Sequence, residues 1–283
     1  MRTASGESAA WGIRRKVFDG LAKVGLTQPA LRVYELALAA KSAVKRRSDP
    51  GGLPLPPARL RVKVSPQNAD ADYFLRSGRE HADLLRNVLR EGGTSIERLG
   101  AILDWGCGCG RVLRHWADLP GETRVYGCDI NPKEVEWCRR HLDFAHVSVN
   151  DLKPPLPYTA ETFDLVYALS VFTHLGEDLQ HAWMRECRRI LKPGGFLVFS
   201  TMGDYYADLK RLTDSEREAF RNGQLVVLYE GSAGTNLCSV YHPRAYVEGT
   251  LAEGFEPVLF RPAIFDRQDM YLFRAASGQP PSH

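Results

Sequence analysis

The chain has no apolar run near the roughly 18 residues that a membrane-spanning helix needs, and its first residues lack the apolar core of a secretory leader. Its six cysteines form no C-x-x-C pair, so the expectation is a cytoplasmic protein with reduced thiols. Cys107-x-Cys109 has the wrong spacing for zinc and no His/Cys pair completes it, so no metal site is expected. Net charge is scarce. The 37 Lys/Arg and 34 Asp/Glu leave a formal +3, too little to argue for nucleic acid. Internal repeats and low-complexity blocks are missing as well. What remains is 283 residues, 44% hydrophobic and 25% charged, an ordinary globular composition.

Charge is nevertheless uneven along the chain. Up to Ser48 there are ten Lys/Arg against three Asp/Glu. That surplus of seven exceeds the whole-chain +3, so the rest is acidic by four. From Trp11 to Arg47 the apolar positions Val17, Leu21, Val24, Leu31, Tyr34 and Leu38 recur at helical spacing. Two readings stay open. One is helices packed over the main domain with a solvated basic face, which is favoured. The other is a basic arm for a membrane surface, an acidic partner or nucleic acid. Residues 1–58 are read as this extension plus a linker, Asp49 to Pro57, rich in Pro and Gly. Residues 59–276 are read as one domain with an insertion at about 204–243, and 277–283 as a loose tail.

Tyr73 to Arg90 reads as a helix stopped by Gly92-Gly93. Strands and helices then alternate. Strands are expected at Ala101–Leu103, Arg124–Asp129, Ala145–Val149, Phe163–Leu169 and Phe196–Thr201. Helices are expected at Arg111–Trp116, Pro132–Leu142 and Leu179–Leu191. Such alternation means a parallel sheet covered on both faces. The insertion reads as a helical piece (Glu216–Arg221) and a hairpin (Leu225–Tyr229 with Leu237–Tyr241). Tyr246–Ala252 is expected to be helical. Phe255–Phe260 and Met270–Phe273 are joined by too few residues for a crossover, so they are expected to be antiparallel.

The most informative stretch is Leu103-Asp104-Trp105-Gly106-Cys107-Gly108-Cys109-Gly110. A strand ending in a carboxylate, a glycine turn and a following helix start make a ligand cradle. Two ligands fit it: a dinucleotide or S-adenosylmethionine (SAM). The dinucleotide spacing is G-x-G-x-x-G. Here the glycines alternate, and Asp104 precedes them by two positions. A carboxylate there suits an ammonium and a sulfonium better than a pyrophosphate. Asp129, about twenty residues beyond the glycines, suits ribose hydroxyls in either case.

With these residues, the chain resembles the class I SAM-dependent methyltransferases. The resemblance rests on Asp104 to Arg111, Gly127-Cys128-Asp129-Ile130, Phe163 to Val166, Ser170 to Leu175, and Arg189 to Gly195. It covers roughly residues 95 to 275. It implies a Rossmann-like seven-stranded, mostly parallel α/β sheet with an antiparallel last strand, and SAM as cofactor. It assigns Gly106, Cys107, Gly108 and Gly110 to the methionine part of SAM, with Asp104 near its ammonium. Asp129 falls to the ribose and Ile130 to the adenine. Asp151 and Leu152, with Asn150, fall at the adenine amino group, and Leu169 and Ser170 beneath the methyl.

Acceptor chemistry is less determined. A hydroxyl acceptor needs a base, and His174, after the fourth strand at the carboxyl edge, is the candidate. Tyr205, Tyr241 and His242 in the insertion are candidate substrate contacts. His115 and Trp116 read as packing residues. No Asn/Asp-Pro-Pro-Tyr follows the fourth strand, and no carboxylate cluster matches a catechol-type magnesium site. The reading is therefore methyl transfer to a small molecule or glycan, at oxygen first, with nitrogen or carbon as the alternative. An NAD-dependent oxidoreductase and a non-catalytic SAM-binding scaffold are the competing classes. No nucleic-acid partner is expected.

Overall fold

Five apolar runs become parallel strands because helices cover both of their faces. In the computed structural model, which describes residues 20, 26–41, 49, 51–265 and 267–276, these are β1 (Ala101–Trp105), β2 (Arg124–Asp129), β3 (Ala145–Val149), β4 (Phe163–Ala168) and β5 (Leu191–Thr201). Two more strands, β8 (Phe255–Ile264) and β9 (Gln268–Ala275), complete one seven-stranded sheet of order β3-β2-β1-β4-β5-β9-β8. β9 runs antiparallel to both β5 and β8. The expected seven-stranded, mostly parallel sheet with an antiparallel last strand is what forms.

The strand period of two divides the core cleanly. Ile102, Leu165, Val198 and Leu272 point to one face and pack with Phe74, Leu85, Leu89 and Trp116. Leu103, Val166, Leu197 and Phe273 point to the other and pack with Trp183, Met184, Cys187 and Ile190. The first face is covered by α3 (Ala71–Glu91), which follows α1 (Thr27–Lys41) and α2 (Ala58–Val64). α3 is started by Asp70, whose carboxylate accepts from the Tyr73 N–H at 2.8 Å. The second face is covered by α5 (Glu177–Ile190), after α4 (Pro132–His141). Gly78 in α3 lies against the backbone of Arg111, where a Cβ would collide with the Arg111 carbonyl. That close approach seats α3 on the loop after the glycines.

The insertion holds α6 (Asp214–Arg221), closed by a Thr213/Glu216 capping box, and the hairpin β6 (Val226–Leu228) with β7 (Ser239–Tyr241). It builds its own small core from Met202, Tyr206, Phe220, Val226 and Tyr241. A bridge from Met202 to Tyr241 ties it to the end of β5.

Two expectations change. Arg111–Trp116 is not an α-helix. Only Leu113–Trp116 turns, as a 3₁₀ helix. Pro120 forbids continuation a few residues on, and the Arg114 side chain is tied to the segment before α2. Its guanidinium bonds Asp49 at 2.9 and 3.0 Å and the carbonyls of Leu53 and Pro54. The same bonds mean that the Asp49–Pro57 segment is docked, with Leu55 in the first core, rather than a free spacer. Of the basic extension, α1 is described, and Glu35 pairs with Lys63 at 3.3 Å. Most of the basic residues lie outside the described residues. Among the described residues, no helix is long and apolar enough to cross a membrane.

Candidate functional site

Parallel strands deliver Asp104, Asp129, Val149 and the chain after Ala168 to one edge of the sheet, the edge where ligands bind in open α/β folds. Between β1 and the Leu113 turn the chain doubles back sharply. The N–H groups of Gly106 and Cys107 both donate to the Cys128 carbonyl, at 2.8 and 3.0 Å. Gly106 sits at φ +82°, and a Cβ there would run into Val171. Glycine is demanded by the neighbouring chain as well as by any ligand.

Asp104 is only 4% exposed. Burial pushes its carboxyl up to about 7, against the pull of the Tyr167 hydroxyl and the Arg111 guanidinium. Tyr167 in turn accepts a hydrogen bond from Trp116 Nε1 at 2.7 Å. Its proton is therefore directed to Asp104. A cation arriving beside Asp104 would restore its charge.

Asp129 lies across the turn. One oxygen accepts from the Gly108 N–H and the other from the Asn131 N–H, both at 2.8 Å. Burial raises its pKa, and these two bonds oppose the rise. Each oxygen keeps a lone pair for a hydroxyl donor. Beyond it, Ile130 and Val149 are 41% and 42% exposed although both are large and apolar. The Asn150 amide nitrogen donates to the Asp151 carbonyl at 2.7 Å. Its carbonyl oxygen is buried with no partner, an acceptor suited to an exocyclic amine. Asp151 itself is exposed. A carboxylate for an ammonium, a carboxylate for two hydroxyls, apolar side chains for a flat ring and an orphan acceptor for its amine together fit SAM.

Beside them, β4 is followed by Leu169 and Ser170, the latter at φ +62°. Its N–H donates to Ser200 Oγ at 2.8 Å, and both serine hydroxyls donate to Gln268 Oε1 at 3.0 and 2.7 Å. His174 follows in a short turn. Its Nδ1 is 2.6 Å from the Cys238 carbonyl. A carbonyl only accepts, so Nδ1 carries the proton and Nε2 is left as the basic nitrogen. Burial lowers the His174 pKa, against the bond to Cys238, and keeps the ring neutral.

The substrate candidates in the insertion separate. Tyr205 is 37% exposed, but Tyr241 and His242 are 1% and 0% exposed. Tyr241 sits inside the insertion core and His242 is buried against Gln180 of α5. The reason is the strand pairing that carries them: the His242 N–H donates to the Met202 carbonyl at 2.8 Å. The His242 ring donates from Nε2 to Gln180 Oε1 at 3.0 Å, and the Gln180 amide donates to the carbonyls of Phe172 and Leu175. His242 thus braces the turn that holds His174, and burial lowers its pKa to about 3. All six cysteines are buried free thiols.

Several groups at this edge escape a reading by motif. Tyr167 lies inside an apolar run. Arg111 and His81 meet on the α3 side, Nη1 to Nδ1 at 3.1 Å, with Nδ1 also 2.7 Å from the Ser77 carbonyl. Burial and Arg111 lower the His81 pKa to about 3. Phe265 caps this pair, its ring 5.0 Å from His81. The pairing of Ser77 and His81 at i, i+4 on an otherwise apolar face is the one signal in the sequence. A cleft of about 320 Å³ opens in the insertion, among Asp204, Asp208, Arg217, Arg221 and Arg244, and is lined by none of the cradle residues.

Comparison with known proteins points to methyltransferases. The family described as "Methyltransferase domain" matches residues 103–199. A ubiquinone biosynthesis O-methyltransferase of Cereibacter sphaeroides is 33% identical over 104 residues, 36% of this chain and 40% of the relative. A malonyl-[acyl-carrier protein] O-methyltransferase of Hahella chejuensis is 32% identical over 128 residues, 42% of this chain and 45% of the relative. The chain thus spans less than half the length of these curated relatives. Among solved structures, an O-methyltransferase family protein of Burkholderia thailandensis aligns with TM-score 0.54 at 15% identity, over 78% of this chain and 63% of that one. An S-adenosylmethionine-dependent methyltransferase of Mesorhizobium loti aligns with TM-score 0.50 at 17% identity, over 68% and 96%. At such identities the structural likeness speaks for the fold.

Proposed function

With residues 103–199 belonging to the class I SAM-dependent methyltransferase family and SAM as the cofactor, we propose that the protein methylates a small molecule or glycan at a hydroxyl oxygen. One observation carries the choice of oxygen: His174 donates from Nδ1 to Cys238, so its Nε2 is free to take a proton at the edge of the cradle. The two relatives named as O-methyltransferases support the same choice.

When bound, SAM supplies a methyl made electrophilic by its sulfonium. The chain's own residues would do the rest. Asp104 holds the ammonium end, Asp129 the ribose hydroxyls, and Asn150 Oδ1 the adenine amine over Ile130 and Leu152. With the cofactor held by these groups, alignment and exclusion of water would lower the barrier. His174 Nε2 takes the acceptor's proton. Its lowered pKa keeps it competent at neutral pH and below.

Calorimetry with S-adenosylhomocysteine tests the cradle. Asp129→Ala is expected to lose binding, and an unchanged affinity would remove Asp129 from the site. Labelled SAM offered to sugars and phenols tests the chemistry. His174→Ala is expected to lower turnover by about a hundred-fold or more with cofactor affinity retained. Near-normal turnover across pH would mean that alignment alone, or another group, carries the reaction. Label recovered on nitrogen or carbon would select the alternative acceptor class.

A further inference from the structure

The turn between β6 and β7 crosses the adenine end of the cradle. Gly234 rests on the two side chains assigned to adenine: a Cβ there would lie 2.8 Å from Leu152 Cδ1 and 3.5 Å from Ile130 Cδ1. No ring fits between the strand-end side chains and the turn at that point. The turn is bonded chiefly to itself. Ser232 donates to Tyr229, Ala233 to Glu230, Thr235 to Ser232 and Cys238 to Thr235, all backbone to backbone. The Thr235 hydroxyl closes two further bonds, to the Ser232 carbonyl and from the Leu237 N–H. A segment so bonded moves as one piece.

Its outside fastenings among the described residues include four contacts. Asn236 Nδ2 donates to the Lys63 carbonyl at the end of α2, at 2.7 Å. The Gly234 N–H donates to the His174 carbonyl at 2.8 Å. The Cys238 carbonyl accepts from His174 Nδ1 at 2.6 Å. The Glu230 side chain lies against Gly176. Two of these bonds go to His174 itself, one to its backbone and one to its ring.

We propose that residues 229–238 form a strap over the adenine end of the cofactor site, and that this strap positions His174 according to whether the cofactor is seated. The proposal rests on the cofactor-site reading above. Adenine entering beneath Gly234 has to lift or reseat the strap. The group that accepts the His174 Nδ1 proton belongs to the strap, so the tautomer and tilt of the ring follow it. Gly234, Asn236 and the Cys238 carbonyl are positioning groups. They hold the base and do not touch the acceptor.

Hydrogen exchange on the full chain, with and without S-adenosylhomocysteine, tests the strap directly. The ligand is expected to change protection of the 229–238 amides together with that of 106–110 and 129–152. Asn236→Ala frees the α2 end and is expected to raise the ligand's dissociation rate by about ten-fold, the worth of one hydrogen bond. Gly234→Ala, which forces a Cβ onto Leu152, is expected to act the same way should Asn236→Ala prove poorly folded. The imidazole nitrogen resonances of His174 are expected to move on ligand addition in the wild type and to move differently in either variant. Protection at 106–110 and 129–152 with no change over 229–238, or unchanged dissociation in both folded variants, overturns the strap and leaves the cofactor site standing. No ligand binding at all overturns both.

Discussion

Trp116 Nε1 donates to the Tyr167 hydroxyl at 2.7 Å, and that hydroxyl keeps its own proton and turns it toward Asp104, pulling the carboxyl down against burial. A 3₁₀ turn on one side of the sheet is thereby wired to the carboxylate at the end of β1. The Tyr167 hydroxyl favours the ionised form of Asp104, which burial opposes.

Tyr167→Phe breaks this connection at the middle. The Trp116 N–H is then buried without an acceptor, which costs about 1–3 kcal/mol of stability by denaturant unfolding. Asp104 loses a donor, so S-adenosylhomocysteine binding at pH 7 is expected to weaken by several-fold. Unchanged affinity in the folded variant would detach Tyr167 from the site.

Asp104 titrates near 7 in the free protein because burial favours its neutral form. A ligand with an ammonium needs the ionised form. Affinity for S-adenosylhomocysteine is therefore expected to be flat above pH 7 and to fall by about ten-fold per pH unit below it. Calorimetry in buffers of different ionisation enthalpy should register proton release on binding near pH 6. A flat profile down to pH 5 would show that Asp104 faces no cation.

Arg114 and Asp49 form a pair at 2.9 Å, with the guanidinium fully buried. Asp49→Ala leaves that charge uncompensated and is expected to destabilise the fold by about 3 kcal/mol. Replacing both partners by apolar residues should cost less than the sum of the single changes. Additive losses in the double-mutant cycle would mean that the pair does not couple.

Glu134 stands beside Asp129, 4% exposed, with Oε1 unpartnered. Burial, and then Asp129, raise its pKa well above 4.5. Its contribution to stability is thus present at low pH and is lost as pH rises above that value. Glu134→Gln cannot ionise and keeps it. The variant is expected to equal the wild type near pH 4.5 and to exceed it by about 1 kcal/mol or more at pH 8 in urea unfolding. A gap that does not widen with pH would mean that water or a cation reaches the carboxylate.

The five parallel strands and the antiparallel final pair were legible because they depend on local facts: apolar runs, their stops, and a connection too short to cross over. The convergence of Asp104, Asp129, Asn150 and Ser170 on one edge then follows from parallel strand direction. What was not legible depends on partners far along the chain. Tyr167 reads as one more apolar position until Trp116, 51 residues away, is placed beside it. Arg114 reads as a helix surface residue until Asp49, 65 residues away, pairs with its buried guanidinium. His242 reads as a candidate substrate contact, and Gln180, 62 residues away, makes it a brace.

β9 lies between β5 and β8, yet it is the last of the seven strands to be synthesised. During translation β5 therefore waits with an open edge whose side chains, Leu197 and Phe199 among them, are destined for burial. The sheet closes only when residues 268–275 have cleared the ribosome and slid into the gap. A chain broken off before them would expose a long apolar edge, ready to pair with a neighbour. A stop codon before Gln268 would thus leave β5 without its partner strand and yield an aggregating product.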